Sequence, residues 1–386
     1  MTTLDLTGLT ARPSQVWGAV RLVPLVRDEP VADLRLHSRL YGDAAGPVEV
    51  GPRATHTSYI PHGFVARWTD DSPAAAAYGT QLSTDGNAAP AATMGLRIHR
   101  RMARREARNR LRFLPMSLAL EGYLGLHFGG PAFAWEEWSQ RAISGWYGWH
   151  SPHVEEAYVG AEVSGLADAL RVFEIHPDQC GVMVYAADAL ASAFVVPHPD
   201  DYRALHPTLL QDLYGELIHH HVTLMPPVQD FRARISDSQI RSLAHLRTAV
   251  AEQEHAWTHF HDTTMAAGLL EDAYTWQSVH RMRRFTLSRF LPSFRPHQEN
   301  HIGEAITDDR GRIAYLKTFR LSETQVRRGR LVSRFAANDW HLANTADELG
   351  VECNELGLRM SSAGFNFTLR RGFVERYREQ ARTRIG

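Results

Sequence analysis

The stretch NDWHLANTADELGVECNELGLRMSSAGF, residues 338–365, has the clearest local pattern in the chain. It predicts a helix over 340–349 and a second helix over about 353–362. Gly350 lies between them and can supply the left-handed residue that ends the first helix. The residues able to cap that first helix are Asn338 and Asp339. Two short helices joined by a glycine turn are typical of a helix-turn-helix.

The chain from residue 324 onward resembles the Fis-type helix-turn-helix over about 45 residues, and the stretch 338–365 carries the pattern. The positions that match that family's pattern are Asn338, Ala343, Ala346, Leu349, Gly350, Val351, Leu356 and Gly364. The resemblance implies DNA binding and a homodimer formed through the preceding helices. The second helix departs from the family, because Glu352 and Glu355 would repel a phosphate backbone. Gly357 also weakens that helix by about 1 kcal/mol relative to alanine.

Arginines before and after the two helices can supply the contacts to phosphate that the second helix lacks. The predicted DNA-binding residues are Arg327, Arg328, Arg330, Arg334, Asn354, Arg359, Arg370 and Arg371. Further arginines follow in the basic tail. The alternative is a helix-turn-helix that only packs against protein, with no nucleic acid bound.

Charge is distributed unevenly along the 386 residues, although the net charge is only −1. Residues 1–150 carry +3, residues 151–280 carry −12 and residues 281–386 carry +8. A basic end joined to an acidic middle indicates a polyanion partner for that end. Lys317 is the only lysine, so any bound phosphate would be held by arginine.

The composition, 44% hydrophobic and 10% aromatic, excludes a disordered chain. Two cysteines exclude a disulfide framework and a cysteine-based zinc site. The first residues lack a secretory signal pattern, and no apolar stretch is long enough to span a bilayer. We therefore expect a cytoplasmic protein with no membrane partner.

The chain before residue 321 predicts a mixed body, α/β or α+β, to which the all-α helix-turn-helix is attached. Predicted strands cover residues 17–26, 59–68, 172–177 and 180–186. Predicted helices cover residues 206–220, 237–261 and 266–290, the last two as a pair, and residues 308–311 predict a tight turn. The predicted domains are a mixed domain over 1–235, a helical pair and connector over 236–320, and the helix-turn-helix with its basic tail over 321–386.

Two stretches, residues 114–135 and 172–217, resemble the ARPP-type domain, the ADP-ribosylglycohydrolase- and rhodanese/phosphatase-superfamily-associated protein domain. The resemblance extends over most of residues 15–320. It implies an association with ADP-ribose, NAD or nucleic-acid-repair and conflict systems, and carries no catalytic motif onto this sequence.

Acid–base chemistry has four candidates: Glu121 in an apolar helix, and His206, Asp212 and Glu216 near one helix. His255 and His259 are four residues apart and could form half of a zinc site, with His261 or Asp262 nearby. We expect instead a polar helix face, a surface or core-edge histidine pair and a paired structural Glu121. No catalytic residue, resident metal or cofactor is assigned.

Three further features have alternative explanations. Lys317 would need burial to lower its pKa for catalysis, and we expect a solvated strand residue instead. The arginine-dense segment 97–112 could contact nucleic acid or the acidic middle of this chain. The tryptophan-rich segment 135–149 could stack bases or pack in a core.

The sequence motifs of dinucleotide-binding, P-loop, zinc-protease and hydrolase-elbow proteins are absent. The sequence therefore predicts a DNA-binding regulatory protein whose body senses a ligand or partner, with the small-molecule ligand unknown. The alternatives are a hydrolase acting on a nucleotide or ADP-ribose-like substrate, and a non-catalytic adaptor.

Overall fold

A computed structural model of the protein describes residues 2–31, 34–36, 48–51, 54–56, 64–67, 75–77, 165–210, 214–230, 232–282, 284–339 and 341–363. The strands in these residues are β1 Thr10–Ala11, β2 Gln15–Trp17, β3 Val20–Val26, β4 Arg35–Leu36, β5 Val48–Gly51, β6 Ala54–His56, β7 Phe64–Arg67, β8 Ala75–Ala77, β9 Gln179–Ala186, β10 Ala189–Val195, β11 Thr275–Met282, β12 Phe285–Leu291, β13 His301–Thr307 and β14 Ile313–Arg320. The α-helices are α1 Leu166–Ala169, α2 Pro199–Thr208, α3 Gly215–Leu224, α4 Leu243–Phe260, α5 Ala267–Leu270, α6 Glu323–Ala337, α7 Leu342–Leu349 and α8 Cys353–Ser362.

One nine-stranded sheet organises the body, in the order β1-β3-β9-β10-β14-β13-β12-β11, with β2 paired to β3. Every pairing in it is antiparallel. Smaller sheets join β4-β7-β8 and β5-β6. The fold is therefore α+β, the second of the two predicted classes, with a helical region after the last strand.

A two-residue turn connects β9 to β10 at the centre of the sheet. Ala187 and Asp188 both have positive φ, 48° and 62°. This is the backbone of a type I′ turn, whose twist matches that of the flanking strands. The turn places the Asp188 carboxylate against Arg21 of β3, 3.0 Å from its guanidinium.

The first face of the sheet, which we call the α4 face, packs against the end of α4 and against α5. Its buried apolar residues come from all the central strands and from these helices: Val23, Met183, Tyr185, Ala193, Phe290, Ala305, Leu316, Trp257, Leu269 and Tyr274. The indole of Trp257 donates a hydrogen bond to the Arg12 carbonyl, 3.0 Å away, which fixes α4 to the N-terminal strands.

The second face, which we call the opposite face, is covered in part by α2 and α3, which contact β9. The Tyr214 hydroxyl, just before α3, lies 2.8 Å from the Ser192 hydroxyl of β10. Gly18 has a φ of 59°, and a Cβ there would lie 3.0 Å from the Val222 Cα, so only glycine permits this approach of α3. The same face carries buried charged residues, described below.

The predicted helix over 266–290 is wrong, and with it the helical pair. Only Ala267–Leu270 is helical there, and β11 and β12 follow as a hairpin. Along β12 burial alternates over Phe285, Thr286 and Leu287, as expected of a strand with one face in the core. The boundary predicted at residue 235 divides the nine-stranded sheet, because β3, β9 and β10 precede it and β11–β14 follow it.

The predicted strand over 172–177 is also wrong. Leu170–Val172 is a 3-10 turn. Within the described residues, the backbone that follows hydrogen-bonds to side chains and not to a neighbouring strand. The Gln15 side chain both donates to the Glu174 carbonyl and accepts from its N–H. The predicted strand over 180–186 is confirmed as β9.

The helix predicted over 206–220 is replaced by α2 and α3. α2 begins earlier because Pro199 occupies its first turn and His198 caps it, accepting from the Asp200 N–H. In the helix predicted over 237–261, Ser236 makes no capping hydrogen bond and Asp237–Gln239 forms a 3-10 turn. α4 starts after Ser242, which accepts from the His245 N–H.

The turn predicted over 308–311 is confirmed. The Asp308 carboxylate accepts hydrogen bonds from the N–H groups of Arg310 and Arg312, and Gly311 has a φ of 82°. Among the described residues, no helix is long and apolar enough to cross a membrane.

Candidate functional site

Three helices follow the sheet and share one small core. Its buried side chains include Val332 and Phe335 of α6, Ala346 of α7, and Leu356 and Met360 of α8. α8 has the predicted bounds, whereas α7 is capped by His341, which accepts from the Asn344 N–H. Neither predicted cap is used, because Asn338 ends α6 and Asp339 follows it with a φ of 50°.

Gly350 closes α7 as predicted, with φ 63° and ψ 35°. Its left-handed backbone satisfies the last carbonyls of α7, and the Val351 N–H bonds to the Ala346 carbonyl at 3.0 Å. The connection to α8 is therefore only three residues long, 350–352. A ring contact fixes α6 to the body, since a Cβ at Gly329 would lie 2.2 Å from the Phe294 ring.

Three of the predicted DNA-binding arginines form ion pairs with carboxylates of α6, α7 and α8. Arg327 lies 3.5 Å from Glu323, Arg334 pairs with Glu348, and Arg359 pairs with Glu355. Arg330 is exposed, whereas Arg328 and Asn354 are half-buried.

The described helical region, residues 321–363, contains five arginines and six carboxylates, so it is not itself basic. Residues 364–386 are basic, with six arginines and two glutamates, and the rest of the positive charge of residues 281–386 lies in residues 281–320. Arg370 and Arg371 belong to that segment and lie outside the described residues.

The acid–base candidates are not brought together where the structure describes them. His206 of α2 is buried and lies 3.0 Å from the Tyr202 hydroxyl, and burial lowers its pKa to about 4. The backbone of Glu216 is part of α3. Glu121 and Asp212 lie outside the described residues, as do the arginine segment 97–112 and the tryptophan segment 135–149.

The two metal-ligand candidates, His255 and His259, are both exposed on α4. Within the part of the chain that the structure describes, no three histidine, cysteine or acidic side chains are grouped to hold a metal ion.

Three side chains on the α4 face form a hydrogen-bonded series. The sequence pattern pointed to two of them, His261 and Asp262, but not to Tyr185. The Tyr185 hydroxyl lies 2.8 Å from His261 Nε2, and His261 Nδ1 lies 2.7 Å from Asp262 Oδ1. With the Asp262 carboxylate accepting from Nδ1–H, Nε2 accepts from the tyrosine O–H. Burial raises the pKa of Tyr185, so the phenol stays protonated. The series begins a π-helical turn, His261–Met265, a local geometry frequent at functional sites.

The opposite face carries a row of buried charges that sequence reasoning missed. Lys317 of β14 pairs in register with Glu304 of β13, and Glu304 pairs with Arg289 of β12. All three side chains are buried. The prediction of a solvated Lys317 is wrong, because β14 lies inside the sheet and both of its faces are covered. The signal was available in IAYLKTFRL, where apolar residues occupy both faces around the lysine.

Lys317 lies between two aromatic rings on that face. Its Nζ is 6.0 Å from the centre of the Phe194 ring and 5.8 Å from that of Phe319. Burial lowers the pKa of Lys317 to about 7, although Glu304 opposes this shift. The Glu304 carboxylate accepts a hydrogen bond from the Tyr315 hydroxyl at 3.1 Å. An amine that titrates near neutral pH can exchange a proton with a ligand.

The ARPP-2 family model matches residues 4–283, well over half of the chain. The chain belongs to the ARPP-2 family. Comparison with curated proteins and with solved structures finds no match.

In this ARPP-2 protein the family match ends before the sheet is complete. Residue 283 lies between β11 and β12, so β12, β13 and β14 follow the matched region. Those three strands connect β10 to β11 in the sheet. The buried row of Lys317, Glu304 and Arg289 therefore lies on strands outside the family match.

Proposed function

We propose that this ARPP-2 protein is a nucleic-acid-binding regulatory protein, with α7 and α8 forming a helix-turn-helix on α6. The observation that supports this is the three-residue connection with a left-handed Gly350, packed over a shared core. A short turn of this kind holds the second helix at a fixed angle, which permits it to enter a DNA groove.

The phosphate contacts in this proposal come chiefly from outside α7 and α8. Arg330 is exposed on α6, and the segment 364–386 carries six arginines. The paired Arg327, Arg334 and Arg359 contribute less, because their neighbouring carboxylates offset their charge. Binding of this kind positions the protein on DNA without reading much sequence.

The first test is fluorescence anisotropy of a labelled DNA duplex with the full-length protein over a range of salt concentrations. The logarithm of the affinity should fall linearly with that of the salt concentration, by about 0.9 per phosphate contact. Removing residues 364–386 should weaken binding strongly and flatten this dependence. Absence of binding at low salt would reject the proposal.

The second test separates DNA binding from the adaptor alternative. Glu355→Gln removes an exposed carboxylate from α8 and releases Arg359 from its ion pair. If α8 approaches phosphates, this variant should bind DNA several-fold more tightly. Asp168→Asn is the matched control, because it releases Arg171 from an exposed ion pair in the body of the protein. Equal effects of the two variants would favour helices that only pack.

We also propose that the protein is a homodimer through α4. Leu243, Leu246 and Val250 lie three and four residues apart on this helix and are 72%, 38% and 39% exposed. Such spacing forms an apolar stripe suited to the same helix of a second copy. A dimer would present two helical regions to one duplex, as helix-turn-helix proteins commonly do.

A further inference from the structure

Arg289 of β12 is buried. Its guanidinium has no hydrogen-bond partners on the edge through which arginine usually binds anions. Its side chain is 2% exposed, and neither Nε nor Nη2 has a hydrogen-bond partner. These two N–H groups point the same way and form the edge that holds a carboxylate or phosphate through two parallel hydrogen bonds. A buried donor without a partner is costly, so two on one edge call for a bound group.

Arg21 of β3 shows how this chain satisfies the same edge elsewhere. Its side chain is also buried, and its Nε and Nη2 both donate to Asp188 Oδ1, at 3.3 and 3.0 Å. Its Nη1 donates to the Ser14 hydroxyl at 2.8 Å. In Arg12 and Arg27, by contrast, only one buried guanidinium nitrogen, Nε, has no hydrogen-bond partner.

Within the described residues, the buried row at Arg289 holds more basic than acidic side chains. Glu304 lies opposite Arg289 on β13, and Lys317 lies opposite Glu304 on β14, so two cationic side chains flank one carboxylate. Glu304 already accepts from the Tyr315 hydroxyl. A second anionic group would balance the row and complete the hydrogen bonds of the guanidinium.

Solvent is close to this position in spite of its burial. β12 is the second strand from the edge of the sheet, and β11 is the edge strand. Gln277 of β11 pairs in register with Arg289 and is exposed. An exposed residue therefore lies only one strand away from the guanidinium.

We propose that Arg289, with Lys317 behind Glu304, binds the phosphate or carboxylate group of a small molecule on the opposite face of the sheet. This site is separate from the helices α6–α8 and does not depend on whether they bind nucleic acid. The body of the protein would then bind a ligand that carries a phosphate or a carboxylate group.

The test is isothermal titration calorimetry of the full-length protein with inorganic phosphate and with acetate, in chloride buffer of matched ionic strength. Saturable binding of either anion is expected, and the one that binds more tightly identifies phosphate or carboxylate as the source. Arg289→Gln should weaken that binding roughly tenfold or more, because it removes two charge-assisted hydrogen bonds. Arg12→Gln, which removes an arginine on the α4 side, should leave binding unchanged.

Two further variants keep the proposal falsifiable if Arg289→Gln fails to fold. Arg289→Lys keeps the charge but loses the paired N–H edge, so it should also bind more weakly. Glu304→Gln removes the neighbouring carboxylate and should bind the anion several-fold more tightly. Binding of neither anion by the wild-type protein, or equal binding by wild type and Arg289→Lys, would overturn the proposal.

Discussion

Lys317 of β14 lies directly opposite Glu304 of β13, and both side chains are fully buried near the middle of the sheet. Buried ions are costly to desolvate, and mutual attraction offsets this only when both partners remain. The pair therefore makes the central strands sensitive to the loss of either charge.

Lys317→Met should lower the free energy of unfolding by about 3 kcal/mol, because it leaves Glu304 buried with only Arg289 beside it. The double variant Lys317→Met/Glu304→Gln should lose less than the sum of the two single losses. Urea unfolding followed by circular dichroism measures both. Strictly additive losses would mean that the two side chains do not interact.

Acid should unfold the protein through two buried histidines. Burial lowers the pKa of His206 and that of His301 to about 4. Between pH 6.5 and pH 4 the unfolded chain binds these protons and the folded chain does not, so stability is present above pH 6.5 and is lost as the pH falls. Each histidine accounts for up to about 3 kcal/mol.

The measurement is the urea midpoint of wild type, His206→Gln and His301→Gln from pH 7 to pH 4. Each variant should show a flatter dependence on pH than wild type, whatever its stability at pH 7. His255→Gln is the control, because His255 is exposed on α4. If the urea midpoints of His206→Gln and His301→Gln both depended on pH as steeply as that of wild type, this prediction would be contradicted.

Gly350→Ala should destabilise the helical region by about 1–2 kcal/mol, because a residue with a Cβ is strained at a φ of 63°. Nothing lies within 4 Å of the position of that Cβ, so backbone strain alone is responsible. Gly350→Asn should cost less. Hydrogen exchange of the α7 and α8 amides reports the change, and equal protection in wild type and Gly350→Ala would rule it out.

Leu246→Asp should abolish the proposed dimer without unfolding the body, since Leu246 lies on an exposed face of α4. Analytical ultracentrifugation of wild type and variant gives the oligomeric state. Leu224→Asp is the matched control, because Leu224 is 69% exposed but lies on α3. A wild-type protein that stays monomeric at high concentration would end this hypothesis.

A chain ending at residue 283 should aggregate, whereas one ending at residue 320 should fold. The shorter chain keeps β10 and β11 but lacks the three strands between them, so it exposes the unpaired edge of β10. The longer chain retains every strand of the nine-stranded sheet. Cooperative thermal unfolding of the longer chain checks this, and soluble, cooperatively folded 1–283 would refute it.

Local patterns were predictable from the sequence where a few neighbouring residues decide the conformation. The closure of α7 at Gly350 and the 308–311 turn depend on short capping and turn contacts. The hairpin of β11 and β12 could not be predicted in this way. Its strand pairing to β13 overrides the helical tendency that begins at Ala267.

The burial of Lys317 illustrates why the candidate site was harder to predict than the fold class. Its neighbour Phe194 comes from β10, far earlier in the sequence, and its neighbour Glu304 is set by the register of the β13–β14 pair. The unpartnered edge of Arg289 also depends on the strand order. Such contacts between strands cannot be inferred from the spacing of residues in the sequence.

The adjacent pairing of β3 with β9 has a consequence for synthesis in the cell. Val26 and Gln179 are register partners, so residues 27–178 must be translated before the second strand of the pair begins to emerge. Such distant contacts slow folding, since a long loop must close first. Until then the apolar β3 has no partner strand on that side, and a nascent chain in this state is the natural target of ribosome-associated chaperones.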